Sequence, residues 1–190
     1  MKRLISKYVE RQILYENIKK EEVGVYQYGY TLLFEKLINF IILVIITILS
    51  NGWFPVAIFM LAFVPLRQYS GGWHAKTFAR CTVISNMVLL VNTFIYGSKI
   101  DIPILSLIIV EVIAVCVIIG LSPVQSSKNL NTKECLRYKK IVSILIIVSI
   151  MFEFALLCQE YVKIVSIFVY AHSIVAIALL LGKNNSAMLD

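Results

Sequence analysis

Six long apolar runs set the pattern of the chain, at about residues 32–50, 53–66, 82–98, 102–122, 140–158 and 161–182. An α-helix rises 1.5 Å per residue, so roughly 20 residues cross about 30 Å of hydrocarbon. The first, fourth, fifth and sixth runs have that length within a residue or two. The second stops early at Pro65-Leu66-Arg67, and the third is marginal. These two flank a polar stretch from Arg67 to Cys81, part of which is expected to dip into the membrane. Irregular backbone survives there only where protein or water satisfies its polar groups. Ahead of the runs, Leu4, Ile5, Tyr8, Val9, Ile13, Leu14 and Ile18 recur at helical spacing among Lys2, Lys7, Glu10, Arg11, Lys19 and Lys20. That pattern predicts an amphipathic helix too polar to span, lying on the membrane surface or packed on the cytoplasmic loops. Gly24 and Gly29, set among Tyr26, Tyr28 and Tyr30, suggest an interfacial turn, and Gly182-Lys183-Asn184-Asn185 a helix stop followed by disorder. The fold class expected is all-α: a polytopic membrane bundle of about six transmembrane helices plus an N-terminal amphipathic interfacial helix. Residues 1–190 would form one integral membrane domain, with 1–31 as the amphipathic cytoplasmic segment.

Composition agrees with the pattern. The 190 residues are 59% hydrophobic and 15% charged, with mean hydropathy +0.84, whereas a soluble domain carries roughly 25% charged residues. The net charge of +7 would suit nucleic acid, but the bases fall mostly between apolar spans, as in cytoplasmic loops of membrane proteins. With both termini inside, fifteen of the eighteen Lys and Arg residues are cytoplasmic; Lys99 and Lys163 fall outside, and Lys36 near the inner end of the first span. This orientation puts the stretch 67–81 and the second loop, 123–140, in the cytoplasm, where disulfides are disfavoured, so Cys81, Cys116, Cys135 and Cys158 are expected as thiols. No cleavable signal peptide is expected, because residues 1–31 are charge-rich without an apolar core.

Reactive side chains concentrate in one place. His74 and Cys81 form the one His/Cys pair in a polar context. Imidazole takes a proton near neutrality and the thiolate it produces is a nucleophile. On a continuous helix their seven-residue spacing would hold them about 10.5 Å apart along the axis, far beyond hydrogen-bond reach. A dyad therefore requires the chain to kink, loop or become helical only after His74, and Gly71-Gly72 supplies freedom just upstream. Two ligands are too few for zinc and no neighbour completes a set, so neither metal nor cofactor is expected there. Arg67, Lys76 and Arg80 surround the pair with no acid between residues 54 and 100. They would favour a thiolate or bind lipid phosphates, with Arg67 the one pointed at the site. Ser70, Gly71 and Gly72 are candidates to offer backbone N–H groups to an oxyanion. Glu111, Glu153 and His172 lie deep in the fourth, fifth and sixth runs. They would serve a proton or ion pathway, or form neutral contacts between helices. Glu35 would pair with Lys36 or Arg67.

The pattern Arg67…Gly72-x-His74-Ala75…Cys81, followed by a Pro123…Lys128 loop, resembles the accessory gene regulator B family over nearly the whole length. Those are membrane endopeptidases that process precursors of cyclic quorum-sensing peptides in Gram-positive bacteria. The resemblance implies Cys81 as nucleophile and His74 as base and then acid, with Arg67, Gly72 and Lys128 in supporting positions; it names no third catalytic partner. It further implies a thioester at Cys81, closed by a substrate thiol or hydroxyl into a thiolactone or lactone, and a homodimer in the bacterial cell membrane. The basic inner loops, with Glu134 as their single acid, would attract a precursor with an acidic C-terminal tail, while its amphipathic leader shares the membrane surface. The alternatives are a small multi-pass transporter or exporter using Glu111, Glu153 and His172, and a scaffold whose basic loops bind anionic lipid.

Overall fold

The computed structural model describes residues 2–14, 20–73, 75, 77–98, 101–124 and 131–186. Among them are seven α-helices and one short 3-10 turn, Lys20–Glu22, and no strand. The helices are α1 (Lys2–Leu14), α2 (Val23–Leu49), α3 (Trp53–Ser70), α4 (Phe78–Gly97), α5 (Ile104–Leu121), α6 (Thr132–Cys158) and α7 (Val162–Ser186). The last six correspond to the six apolar runs. Five of them, α2, α4, α5, α6 and α7, are long and apolar enough to cross a membrane. The short second run is α3, whose final turn is the polar Arg67-Gln68-Tyr69-Ser70.

The chain divides into two compact units, Met1–Ile46 and Thr47–Asp190. In the first, Val9 of α1 is fully buried against Val23 and Tyr30, and the Tyr8 and Tyr30 rings meet edge to face at 5.2 Å. The expected interfacial turn at Gly24 and Gly29 is instead the opening of α2, which runs through both glycines. A helical glycine costs only about 1 kcal/mol relative to alanine, and this part of α2 carries the ring against which α1 packs.

In the second unit α7 is the central post. It packs against α3, α4, α5 and α6, and 56% of its apolar stretch is buried against 17% or less in the other four membrane-length helices. Small residues explain the close approach: Ala171 and Ala176 are buried along α7, and small side chains let helix backbones come together where lipid offers no hydrophobic drive. The core joins Leu66, Ala114, Ile118, Val142, Ile146, Val175 and Leu179, drawn from α3, α5, α6 and α7. Buried polar groups add specific ties. Asn92 Nδ2 donates to the Pro55 carbonyl at 3.0 Å, and the Tyr170 hydroxyl donates to the Val88 carbonyl at 3.1 Å.

Several helix ends differ from the sequence expectation: α3 runs on to Ser70 and α4 starts at Phe78, which shortens the expected polar stretch 67–81 at both ends. α6 starts at Thr132, inside the expected loop, because Asn131 and Glu134 form a reciprocal capping box that satisfies first-turn N–H groups. α7 continues through Gly182 to Ser186, so Gly182 is not a stop. Phe59 of α3 is 1% exposed and lies against Phe63 and Tyr170, whereas Leu61 on the same helix is 73% exposed. Phe59→Ala is expected to lower stability by about 3 kcal/mol and Leu61→Ala by less than about 0.5 kcal/mol, measured by reversible unfolding in mixed micelles.

Candidate functional site

The final turn of α3 hands over to a loop that only glycine can build. Gly71 and Gly72 have φ of +73° and +107°, in the region that side chains with a Cβ avoid. Space is equally restrictive. A Cβ on Gly71 would strike the Val124 carbonyl oxygen, and one on Gly72 would lie 2.8 Å from the Ala178 carbonyl oxygen. The glycine pair therefore gives the backbone a fixed, close-packed path between the second loop and α7. It is not a free joint.

Arg67 holds that path from within. Its guanidinium donates through Nη1 to the Gly71 carbonyl and through Nη2 to the Trp73 carbonyl, using the planar fork that distinguishes arginine from lysine. Arg67 lies just beyond the apolar part of α3. Burial pushes its guanidinium down from its ordinary value, with an opposing contribution from Cys81. Backbone bonds complete the frame. Val124 N donates to the Ser70 carbonyl at 3.0 Å, and Trp73 N to the Ala178 carbonyl at 2.7 Å. Gly182, four residues after Ala178, leaves that helix carbonyl reachable, since a Cβ there would sit 2.7 Å from Trp73 N.

Of the amides considered for an oxyanion, that of Gly71 already donates to the Arg67 carbonyl at 3.3 Å. Ser70 is fully buried and its hydroxyl has no hydrogen-bond partner among the described residues. Cys81 occupies the first turn of α4, part-exposed. Thr77 caps that turn in an extended conformation (φ −127°, ψ 145°), its side chain accepting from Arg80 N at 3.4 Å. Cys81 N donates to the Thr77 carbonyl at 3.1 Å. The chain is thus not continuously helical from Ser70 to Cys81. His74, Lys76 and Lys128 lie outside the described residues. So does 125–130, the part of the second loop that follows Val124.

The structure brings together Arg67, Ser70, Gly71 and Gly72, and adds Trp73, Val124, Ala178 and Gly182. Nothing in the pattern of the seventh helix announced the last two, although a glycine in an otherwise apolar helix marks close backbone approach. No disulfide joins Cys81, Cys116, Cys135 and Cys158. A second polar cluster, Glu111, Glu153 and His172, forms deeper in the bundle.

Comparison with known proteins returns one family. The model of accessory gene regulator B matches residues 2–181. The chain is similar to an AgrB-like protein of Clostridium perfringens (strain SM101 / Type A), 32% identical over 99 residues, or 52% of this chain and 45% of that protein. A second AgrB-like protein, from Clostridium perfringens (strain 13 / Type A), is 30% identical over 97 residues, covering 51% of this chain and 44% of the relative. The match thus spans less than half the length of these curated relatives. No solved structure matches the chain.

Losing both guanidinium bonds should loosen the loop without unfolding the bundle. Arg67→Ala is expected to favour its open form by about 2 kcal/mol, about 30-fold in population. Trypsin cleavage after Arg80 in nanodiscs should accelerate accordingly, with Arg67→Lys intermediate.

Proposed function

The chain belongs to the accessory gene regulator B family, which is associated with processing of quorum-sensing peptide precursors, and from that premise we propose that it is a membrane cysteine endopeptidase acting through Cys81. The observation that carries this reading is the break in helix between Ser70 and Phe78. On unbroken α-turns, residues 74 and 81 would stay about 10.5 Å apart. Here Trp73, Ala75 and Thr77 are all non-helical, and Cys81 follows in the first turn of α4.

In the proposed reaction His74 removes the Cys81 proton, and sulfur attacks the scissile carbonyl carbon, forming a C–S bond. The tetrahedral intermediate collapses with loss of the C–N bond, and His74 returns the proton to the departing amine. The precursor's C-terminal part leaves, and its N-terminal part remains as a thioester. A thiol or hydroxyl of that same part then attacks the thioester carbonyl, releasing Cys81 and closing a thiolactone or lactone ring. Thiol exchange is near balance, whereas water would discharge the acyl group, so a dry site favours the ring.

Arg80, Lys128, Lys133, Arg137, Lys139 and Lys140 would draw an acidic precursor tail toward the site. Lys133, Arg137, Lys139 and Lys140 are carried on the first turns of α6, which gives that attraction a fixed direction. In this reading the chain sits in a bacterial cell membrane as a homodimer, with both termini and the site cytoplasmic, and α1 lies at the surface beside the precursor's amphipathic leader.

The decisive experiment is co-expression with the amphipathic, acid-tailed precursor. Cys81→Ala is expected to abolish cleavage while membrane insertion is kept; full processing by that variant would end the assignment. Loss of product in Glu111→Gln alone, with Cys81→Ala still active, would favour transport. A second measurement reads the nucleophile directly. Iodoacetamide at neutral pH is expected to modify Cys81 faster than Cys135, and His74→Ala to slow it by about tenfold or more. Equal labelling of the two thiols in both proteins would remove the proposed base.

A further inference from the structure

Glu111, Glu153 and His172 come from three helices, α5, α6 and α7, and converge inside the bundle. His172 is 1% exposed and Glu153 4%. His172 Nδ1 lies 2.6 Å from Glu111 Oε1 and 3.6 Å from Glu153 Oε1. One ligating atom from each residue falls within 4.8 Å of the others. The peptidase chemistry uses none of the three.

The hydrogen bonds around them bear on where a positive charge would sit, through the tautomer that His172 adopts. Ser149 Oγ donates to Glu153 Oε1 at 3.2 Å, and it lies 3.1 Å from His172 Nε2. A hydroxyl has one hydrogen. With that hydrogen on the carboxylate, Ser149 must accept from Nε2–H. A neutral imidazole then turns the lone pair of Nδ1 toward Glu111 Oε1 and Glu153 Oε1. Three acceptor atoms facing one another in an apolar interior repel unless a cation sits between them. Glu111 Oε2 adds a fourth acceptor, buried and with no hydrogen-bond partner among the described residues.

Charge and reach discriminate between cations. A single proton answers the 2.6 Å pair but leaves one net negative charge in the bundle and Glu111 Oε2 unmatched, and a second proton, on a carboxyl, would remove that charge. A dication balances both carboxylates against a neutral imidazole. Zinc-class ions bind imidazole nitrogen and carboxylate oxygen at about 2.0–2.2 Å, which sets ligand atoms roughly 3.3–3.6 Å apart. The Glu153 contact already has that spacing, and the Glu111 contact needs to open by less than about 1 Å. Ser149 behind Nε2 is the outer partner that metal-bound histidines use to fix their tautomer. A cavity of about 320 Å³ lined by Glu111 and Glu153, between Leu107, Val112, Phe154 and Val165, leaves room for a further ligand.

We propose that Glu111, Glu153 and His172 form a binding site for a first-row divalent metal ion of the zinc or manganese class, which ties α5, α6 and α7 together. The mixed imidazole and carboxylate donor set suits those ions. The site stands apart from the Cys81 reading, and its test is arranged to keep the two separate.

The full chain, with all four cysteines changed to serine and His74→Ala, is purified into lipid nanodiscs and dialysed against micromolar Zn(II) or Mn(II). Bound metal is measured by mass spectrometry. We expect about one ion per chain. Glu111→Gln, Glu153→Gln and His172→Gln should each reduce occupancy at least about tenfold, and Ser149→Ala should weaken affinity about tenfold while keeping the site. Metal should also raise Tm in the parent protein but not in the Gln variants. No metal above the dialysis background in the parent, or unchanged occupancy in Glu111→Gln and Glu153→Gln, would overturn the proposal. The first outcome assigns the cluster to protons alone. Because the tested protein lacks Cys81 and His74, neither result bears on the peptidase assignment.

Discussion

One guanidinium carries the local architecture. Where α3 ends, the chain leaves regular structure beside apolar helices, and the carbonyls of Gly71 and Trp73 need donors. Arg67, one turn back on α3, reaches forward and supplies both. Two parallel donors on one planar group fix position and orientation together, as a lysine ammonium would not. This hold supports the left-handed path through Gly71 and Gly72 and the alignment of Trp73 with α7.

The glycine pair takes on a different character in that setting. From sequence, two adjacent glycines beside a histidine look like flexibility. In the structure each answers a steric demand, Gly71 from the Val124 carbonyl and Gly72 from the Ala178 carbonyl and Arg67. A loop clamped on both sides would suit the proposed nucleophile on the helix that follows it, since pre-set orientation lowers the barrier more than mobility does. The second loop shares in this, because Val124 pairs with Ser70 and Gly71.

Much of this was legible in the residues alone. Six runs of apolar side chains gave the helices, although α3 continues through Arg67-Gln68-Tyr69-Ser70, four residues beyond the end expected for the second run. A dyad of His74 and Cys81 would require a break in α-structure between them, and Trp73, Ala75 and Thr77 are non-helical. Periodicity could not find helix ends governed by polar geometry. α6 begins early because Asn131 and Glu134 cap each other, and α2 begins early because Tyr30 serves α1. Nor could it find partners distant in sequence. Ala178 and Gly182 look like ordinary lining of an apolar helix until Trp73 is laid across them.

α7 joins the two polar regions of the second unit. His172 faces the carboxylates of α5 and α6, and Ala178, six residues further on, accepts from Trp73 N. That interval is about 9 Å along the helix axis, less than two turns. A helix held in close-packed contacts transmits strain along its length. A rotation of α7 that drew His172 away from Glu111 would therefore also turn Ala178 and Gly182 away from the loop. Either Trp73 would lose its acceptor or a side chain would press on Gly72. The ionic cluster and the clamped loop thus constrain the same degree of freedom, and α7 has one rotation that satisfies both.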